Sequence, residues 1–121
     1  MRRFTFVAAG GAAGASVRWA VDELLEVESA TFPWHTLIVN LVGCIAIGLA
    51  ARRWERDSDA WHAVVVGVLG GLTTFSAFAV ETDSLLRADR FGVAAAYVVA
   101  SVGGGLIATE LAMRRGRAGE R

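Results

Sequence analysis

A chain of 121 residues suits one domain and is too short for two. Hydrophobic residues make up 55% of it and twelve basic residues balance twelve acidic ones, so no charge excess points to a partner and no basic stripe is present for nucleic acid. The charges gather in short clusters between long uncharged runs and the mean hydropathy is +0.48, unlike a soluble domain, which carries more charge and clear amphipathic periods.

The first apolar run, Phe4 to Val17, is short. A span there has to continue through Arg18 toward Leu25, and we place the first helix over roughly 3–25. Arg2 and Arg3 ahead of an apolar run also fit a secretory signal peptide. Three further hydrophobic spans follow, which favours an uncleaved first helix. The connection "DELLEVESATFP" is acidic and ends in the only proline, Pro33, which suits the first turn of a second helix over 33–52. Phe32 to Ala51 carries no charge and matches the ~20 residues that a membrane-crossing helix needs. So do Ala60 to Val80, within a third helix over 61–86, and Phe91 to Thr109, within a fourth over 91–113. "RRWERDSDAW" and the tight "RADR" link these spans, and the arginine-rich tail reads as a solvated anchor at the membrane surface. Trp19, Trp34, Trp54 and Trp61 fall near span ends, where indole prefers the headgroup level. The predicted fold is an all-α membrane protein, a single domain over 1–121 with four transmembrane helices, the third of them broken.

Small residues are patterned. Gly10 and Gly14, and Gly67 and Gly71, are spaced four apart, and Gly103 to Gly105 lie in the fourth span; such residues let helices approach closely in lipid. Four short helices enclose little interior, so a dimer is the natural way to shield a path. Cys44, the lone cysteine, reads as a small packing residue. His35 and His62 both lie near helix starts and far apart, and no metal pair is expected of them.

Polar groups at membrane depth are functional suspects. Here they are Arg18, Asn40, the Thr73–Ser76 stretch, Glu81, Tyr97 and Ser101. Asn40 lies about 12 Å along the second helix at 1.5 Å per residue. It is either an interhelical hydrogen bond worth about 0.6 kcal/mol or a functional amide. "GGLTTFSAF" (70–78) predicts a helix broken at Gly70–Gly71. Non-helical backbone at that depth is tolerated only inside protein or along a wet cavity. Freed carbonyls can bind a desolvated cation, and the hydroxyls of Thr74 and Ser76 can donate to an anion. Phe75 and Phe78 carry partial positive charge at their ring edges; they line an anion path or simply pack. Arg18 either snorkels to the headgroups or forms a positive vestibule. Glu81 either pairs with it or caps the broken helix.

"GGAAGASVRW", "FPWHTLIVNLVGCIAIG" and "GGLTTFSAFAVET" strongly resemble the three motif blocks of the CrcB/Fluc fluoride channels. The resemblance covers nearly the whole chain. It implies an antiparallel, dual-topology dimer in the plasma membrane that exports fluoride passively through two pores. It implies that Asn40 hydrogen-bonds fluoride and that the ring edges of Phe75 and Phe78 face the ion. Ser76 and Ser101 match hydroxyls along the route, Tyr97 a pore-adjacent tyrosine and Arg18 the first-helix arginine. Gly70 and Thr73 match the backbone carbonyls that hold a central sodium ion, which is structural and not transported. Two positions depart from the pattern: Ala77 stands where a Ser or Thr is usual, and His35 where glycine is common.

No acid–base pair, nucleophile or phosphate loop suggests an enzyme. A small proton-coupled multidrug exporter is the rival transporter. It needs a membrane-embedded carboxylate, and the first span offers Arg18 instead, with Asp22 and Glu23 near its end. A non-transporting scaffold would account for the glycines but not for the polar pattern. Orientation pulls against the family. On a four-span reading, nine arginines lie on one side and two (Arg87 and Arg90) on the other. Such an excess favours a fixed orientation. The chain is therefore expected either to insert both ways as a homodimer or to pair with an oppositely biased second subunit.

Overall fold

The computed structural model describes residues 2–24 and 31–114. The expected end of the first helix at residue 25, most of the acidic connection and the arginine-rich tail lie outside the described residues. Five helical segments follow one another: α1 (Arg2–Leu24), α2 (Trp34–Arg53), α3 (59–72), α4 (Phe75–Arg87) and α5 (Phe91–Arg114). No strand occurs among the described residues. α2, the 59–87 segment and α5 are each long and apolar enough to cross a membrane. α1 is helical over 23 residues, about 34 Å at 1.5 Å each, but its arginines keep it less apolar.

Local chemistry sets the helix ends. Pro33 stands just outside α2, not in its first turn as expected, and its carbonyl accepts the N–H of Leu37 at 3.2 Å. Ser58 caps α3 by accepting the N–H of Trp61 at 3.1 Å. The following His62–Leu69 stretch is π-helical. α4 ends in a Schellman turn: Arg90 N–H donates to Leu85 and Asp89 N–H to Leu86, with Asp89 in the left-handed region at φ 56°. That turn makes "RADR" the tight link its length suggested.

α1 lies along α3 with backbone against backbone. A Cβ on Gly67 would sit 3.0 Å from the Cα of Gly10, one on Gly14 would run into the carbonyl of Val68, and one on Gly71 into that of Gly11. The expected close approach of small residues is thus between these two helices. α2 packs on α5, where a Cβ on Gly48 would lie 2.6 Å from that of Ala112 and Thr109 Oγ1 lies 3.2 Å from the Cys44 carbonyl. Leu37, Leu85, Ala94 and Tyr97 form the buried core where α2, α4 and α5 meet. At one end Arg3 bonds Asp57 at 2.6 and 3.1 Å and Arg2 bonds Asp59, which ties the start of α1 to the turn before α3. The Arg3 guanidinium holds the Asp57 carboxyl below its usual range.

The helix break is real but displaced. Gly70–Leu72 remain α-helical, and the chain turns extended at Thr73 (φ −78°, ψ 151°) and Thr74 (φ −141°, ψ 125°). The expected break at Gly70–Gly71 is therefore corrected to Thr73–Thr74. Gly71 serves the contact with α1 instead, and no glycine among the described residues has positive φ.

Candidate functional site

Asn40 anchors the break. Its Nδ2 donates to the Thr74 carbonyl at 3.0 Å, and its Oδ1 accepts the Thr74 N–H at 2.9 Å. Because one partner is an acceptor and the other a donor, the amide can face only one way. One Nδ2 N–H is left over for another acceptor. The Thr74 hydroxyl caps α4 by accepting the Ala77 N–H at 3.2 Å, and it lies 3.1 Å from the Ser76 hydroxyl. Thr73 closes α3, giving both its N–H and its hydroxyl to the Leu69 carbonyl at 2.9 Å.

These contacts decide which carbonyls lose their helical donors. In an unbroken helix the Gly70 carbonyl would accept the Thr74 N–H and the Thr73 carbonyl the Ala77 N–H. Asn40 takes the first donor and the Thr74 hydroxyl takes the second. Gly70 and Thr73 thus present hard, neutral oxygens without their helical partners.

Asn40, Thr73, Thr74, Phe75, Phe78, Ser101 and Cys44 are among the residues that line a half-open cleft of about 280 Å³. The rings of Phe75 and Phe78 are 5.6 Å apart at 43°. Phe75 is 79% exposed, whereas Phe78 leans on Tyr97 with ring centroids 5.3 Å apart. The Ser101 hydroxyl is buried and has no hydrogen-bond partner among the described residues.

Beyond Phe78 the polar groups converge on Glu81. Thr36 donates its hydroxyl to Oε1 at 2.6 Å, Tyr97 donates to Oε2 at 2.5 Å, and His35 Nε2 lies 3.2 Å from Oε1. Tyr97 is fully buried and Thr36 nearly so. Glu81 therefore neither pairs with Arg18 nor caps the broken helix. Arg18 bonds Asp22 one turn on at 3.1 Å, and its Nε is buried without a partner among the described residues. Arg18 does not line the cleft.

The sequence reading missed Thr36 and gave His35 little weight. The available signal was spacing: Thr36 lies one helical turn before Asn40, on the same face. Nothing in the spacing alone matched that face to Glu81, which lies 45 residues further along.

A bundle of apolar, membrane-length helices with a broken helix beside a donor-lined cleft defines a multi-pass integral membrane protein. The chain matches the CrcB-like protein family (Camphor Resistance, CrcB) over residues 5–113, and it belongs to that family. It is 42% identical to the fluoride-specific ion channel FluC of Rhizobium leguminosarum bv. trifolii, over 80% of this chain and 82% of that one. It is also 42% identical to the fluoride-specific ion channel FluC 1 of Mycobacterium tuberculosis, over 92% of this chain and 87% of the relative. Against the fluoride-specific ion channel FluC of Thermus thermophilus it is 39% identical over 98% of both chains.

Proposed function

We propose that this chain is a fluoride-specific channel that lets cytoplasmic fluoride leave the cell passively across the plasma membrane and so limits its toxicity. It performs no enzymatic step. The observation that carries this reading is the cleft at the helix break, where an amide, hydroxyls and two phenylalanine rings meet. Fluoride is small and tightly hydrated, so its water shell has to be replaced by donors at every point of the path. The spare Nδ2 N–H of Asn40, the one proton that the Thr74–Ser76 hydroxyl pair leaves free and the unpartnered Ser101 hydroxyl supply donors. The positive edges of Phe75 and Phe78 bridge the stretch between them. Chloride is larger, fits a narrow path poorly and gains less from the same donors. Ala77 contributes its N–H to the cap but no hydroxyl to this set.

A single copy leaves the cleft open on one side and Phe75 exposed. A second copy in antiparallel orientation closes it, giving a homodimer with two equivalent pores. The full polar set in one chain favours this over pairing with a second paralogous subunit, despite the arginine bias.

The carbonyls of Gly70 and Thr73, which lose their helical donors, suit a sodium ion, which prefers hard oxygen ligands and needs no charged group beside it. Bound there between two copies, sodium supplies a fixed positive charge at the dimer centre. Replacing sodium with a large organic cation is expected to lower the melting temperature of the purified dimer. Fluoride flux in sodium should carry net negative charge, and movement of sodium with fluoride would exclude a structural ion.

Reconstituted in liposomes, the chain is expected to release fluoride to a fluoride electrode while chloride stays inside. Phe75→Ile and Phe78→Ile should each slow this release by roughly tenfold or more, a barrier increase of about 1.4 kcal/mol. Phe75→Ile should lower the melting temperature of the dimer only modestly, since within one copy that ring packs only against Phe78. Phe78→Ile should lower it, through the lost contact with Tyr97. Normal flux from both variants would reduce the rings to packing.

A further inference from the structure

We propose that His35 is a positioning residue, whose Nε2–H completes the donor shell of the Glu81 carboxylate and keeps that negative charge away from the anion path. The proposal rests on the fluoride-channel reading above.

His35 Nε2 lies 3.0 Å from the Thr36 hydroxyl oxygen and 3.2 Å from Glu81 Oε1. The single proton of the Thr36 hydroxyl is committed to Glu81 Oε1 at 2.6 Å. Thr36 therefore has no proton to offer the ring, and the contact at 3.0 Å requires Nε2 to carry the hydrogen. One N–H is thereby shared between the Thr36 oxygen and the carboxylate. With Tyr97 on the other oxygen, Glu81 receives three donors. None of them requires it to donate, which is the arrangement an acceptor-only carboxylate needs.

No arginine helps. Arg18 is taken by Asp22, Arg87 by Asp83 at 2.6 Å and Arg114 by Glu110. His35 is the only basic side chain within ion-pair distance of Glu81 among the described residues. The side chains of His35 and Glu81 are 12% and 19% exposed, so water replaces little of a lost donor.

In this chain the restraint bears on the anion path because of the carboxylate's place. Glu81 follows Phe78 by three residues and so shares its face of α4. The positive edge of the Phe78 ring attracts any nearby anion, the Glu81 carboxylate as well as fluoride. A carboxylate held by three donors stays on the α2–α5 side. With one donor missing it can turn toward the ring, where it competes with fluoride and repels it.

The test compares fluoride efflux from liposomes containing the wild-type chain, His35→Leu and His35→Gln. Gln keeps an N–H donor at similar reach, whereas Leu keeps bulk without a donor. His35→Leu is expected to slow efflux at least about fivefold, within the range for one lost buried hydrogen bond. His35→Gln is expected to restore it to within about twofold, which a packing role alone would not produce. Should His35→Leu fail to assemble, His35→Ala takes its place in the comparison. Wild-type efflux from the donor-free variant would overturn the proposal, and so would equal slowing in both Leu and Gln variants. Absence of efflux from the wild-type chain itself would instead overturn the channel reading.

Discussion

Asn40→Asp is expected to bring fluoride efflux below detection. Two effects act in the same direction. The carboxylate places a negative charge in the anion path, and both amide donors disappear. One of those donors holds the Thr74 carbonyl at 3.0 Å. In the variant a carboxylate oxygen would face that carbonyl, acceptor against acceptor, and release the backbone at the break. Loss of one hydrogen bond to a charged group costs about 1.5–3 kcal/mol, roughly ten- to hundredfold in rate. Asn40→Ala, which lacks a donor but adds no charge, should therefore keep a slow residual flux where Asn40→Asp has none. Both variants should lower the melting temperature modestly, since an interhelical bond in a membrane is worth about 0.6 kcal/mol. Equal residual flux from Asp and Ala would remove the like-charge argument; full flux from either would remove Asn40 from the path.

Gly14→Val should prevent assembly altogether. Even the first added carbon runs into the Val68 carbonyl and approaches the Leu72 nitrogen to 2.9 Å. Those atoms are backbone and cannot rotate aside, so α1 has to move off α3. Overpacking a well-packed contact costs about 1–3 kcal/mol where side chains can adjust, and here they cannot. The same displacement disturbs the segment that ends in Thr73, so the site should be lost together with the fold. Gly92→Ala is the control, because a Cβ there meets nothing within 4 Å. Size-exclusion profiles of the two purified variants decide the matter: a monodisperse Gly14→Val dimer would contradict the backbone contact.

Some features of this protein were legible without coordinates because they depend on local or one-dimensional properties. Uncharged runs of membrane length marked the spans, since lipid excludes charge whatever the tertiary arrangement. Spaced glycines marked a close helix contact, and hydroxyls beside glycines marked an interruption. Local preference places that interruption at Gly70–Gly71. It falls instead at Thr73–Thr74 because Asn40, 34 residues earlier in the chain, supplies the two hydrogen bonds that make extended backbone tolerable there. Gly71 stays helical, and its lack of a side chain is used against α1.

By itself, then, the sequence determined that the chain is a helical membrane protein with Asn40, Phe75 and Phe78 among its outstanding residues, and its motif blocks carried the family resemblance. Only the tertiary structure decided which carbonyls lose their helical donors, that Glu81 turns to Thr36, Tyr97 and His35 and not to Arg18, and that Arg18 stays with Asp22. The physical reason is the same in each case. Charge exclusion from lipid and backbone preference act along the chain, whereas a buried polar group takes whichever partner packing brings within hydrogen-bond reach.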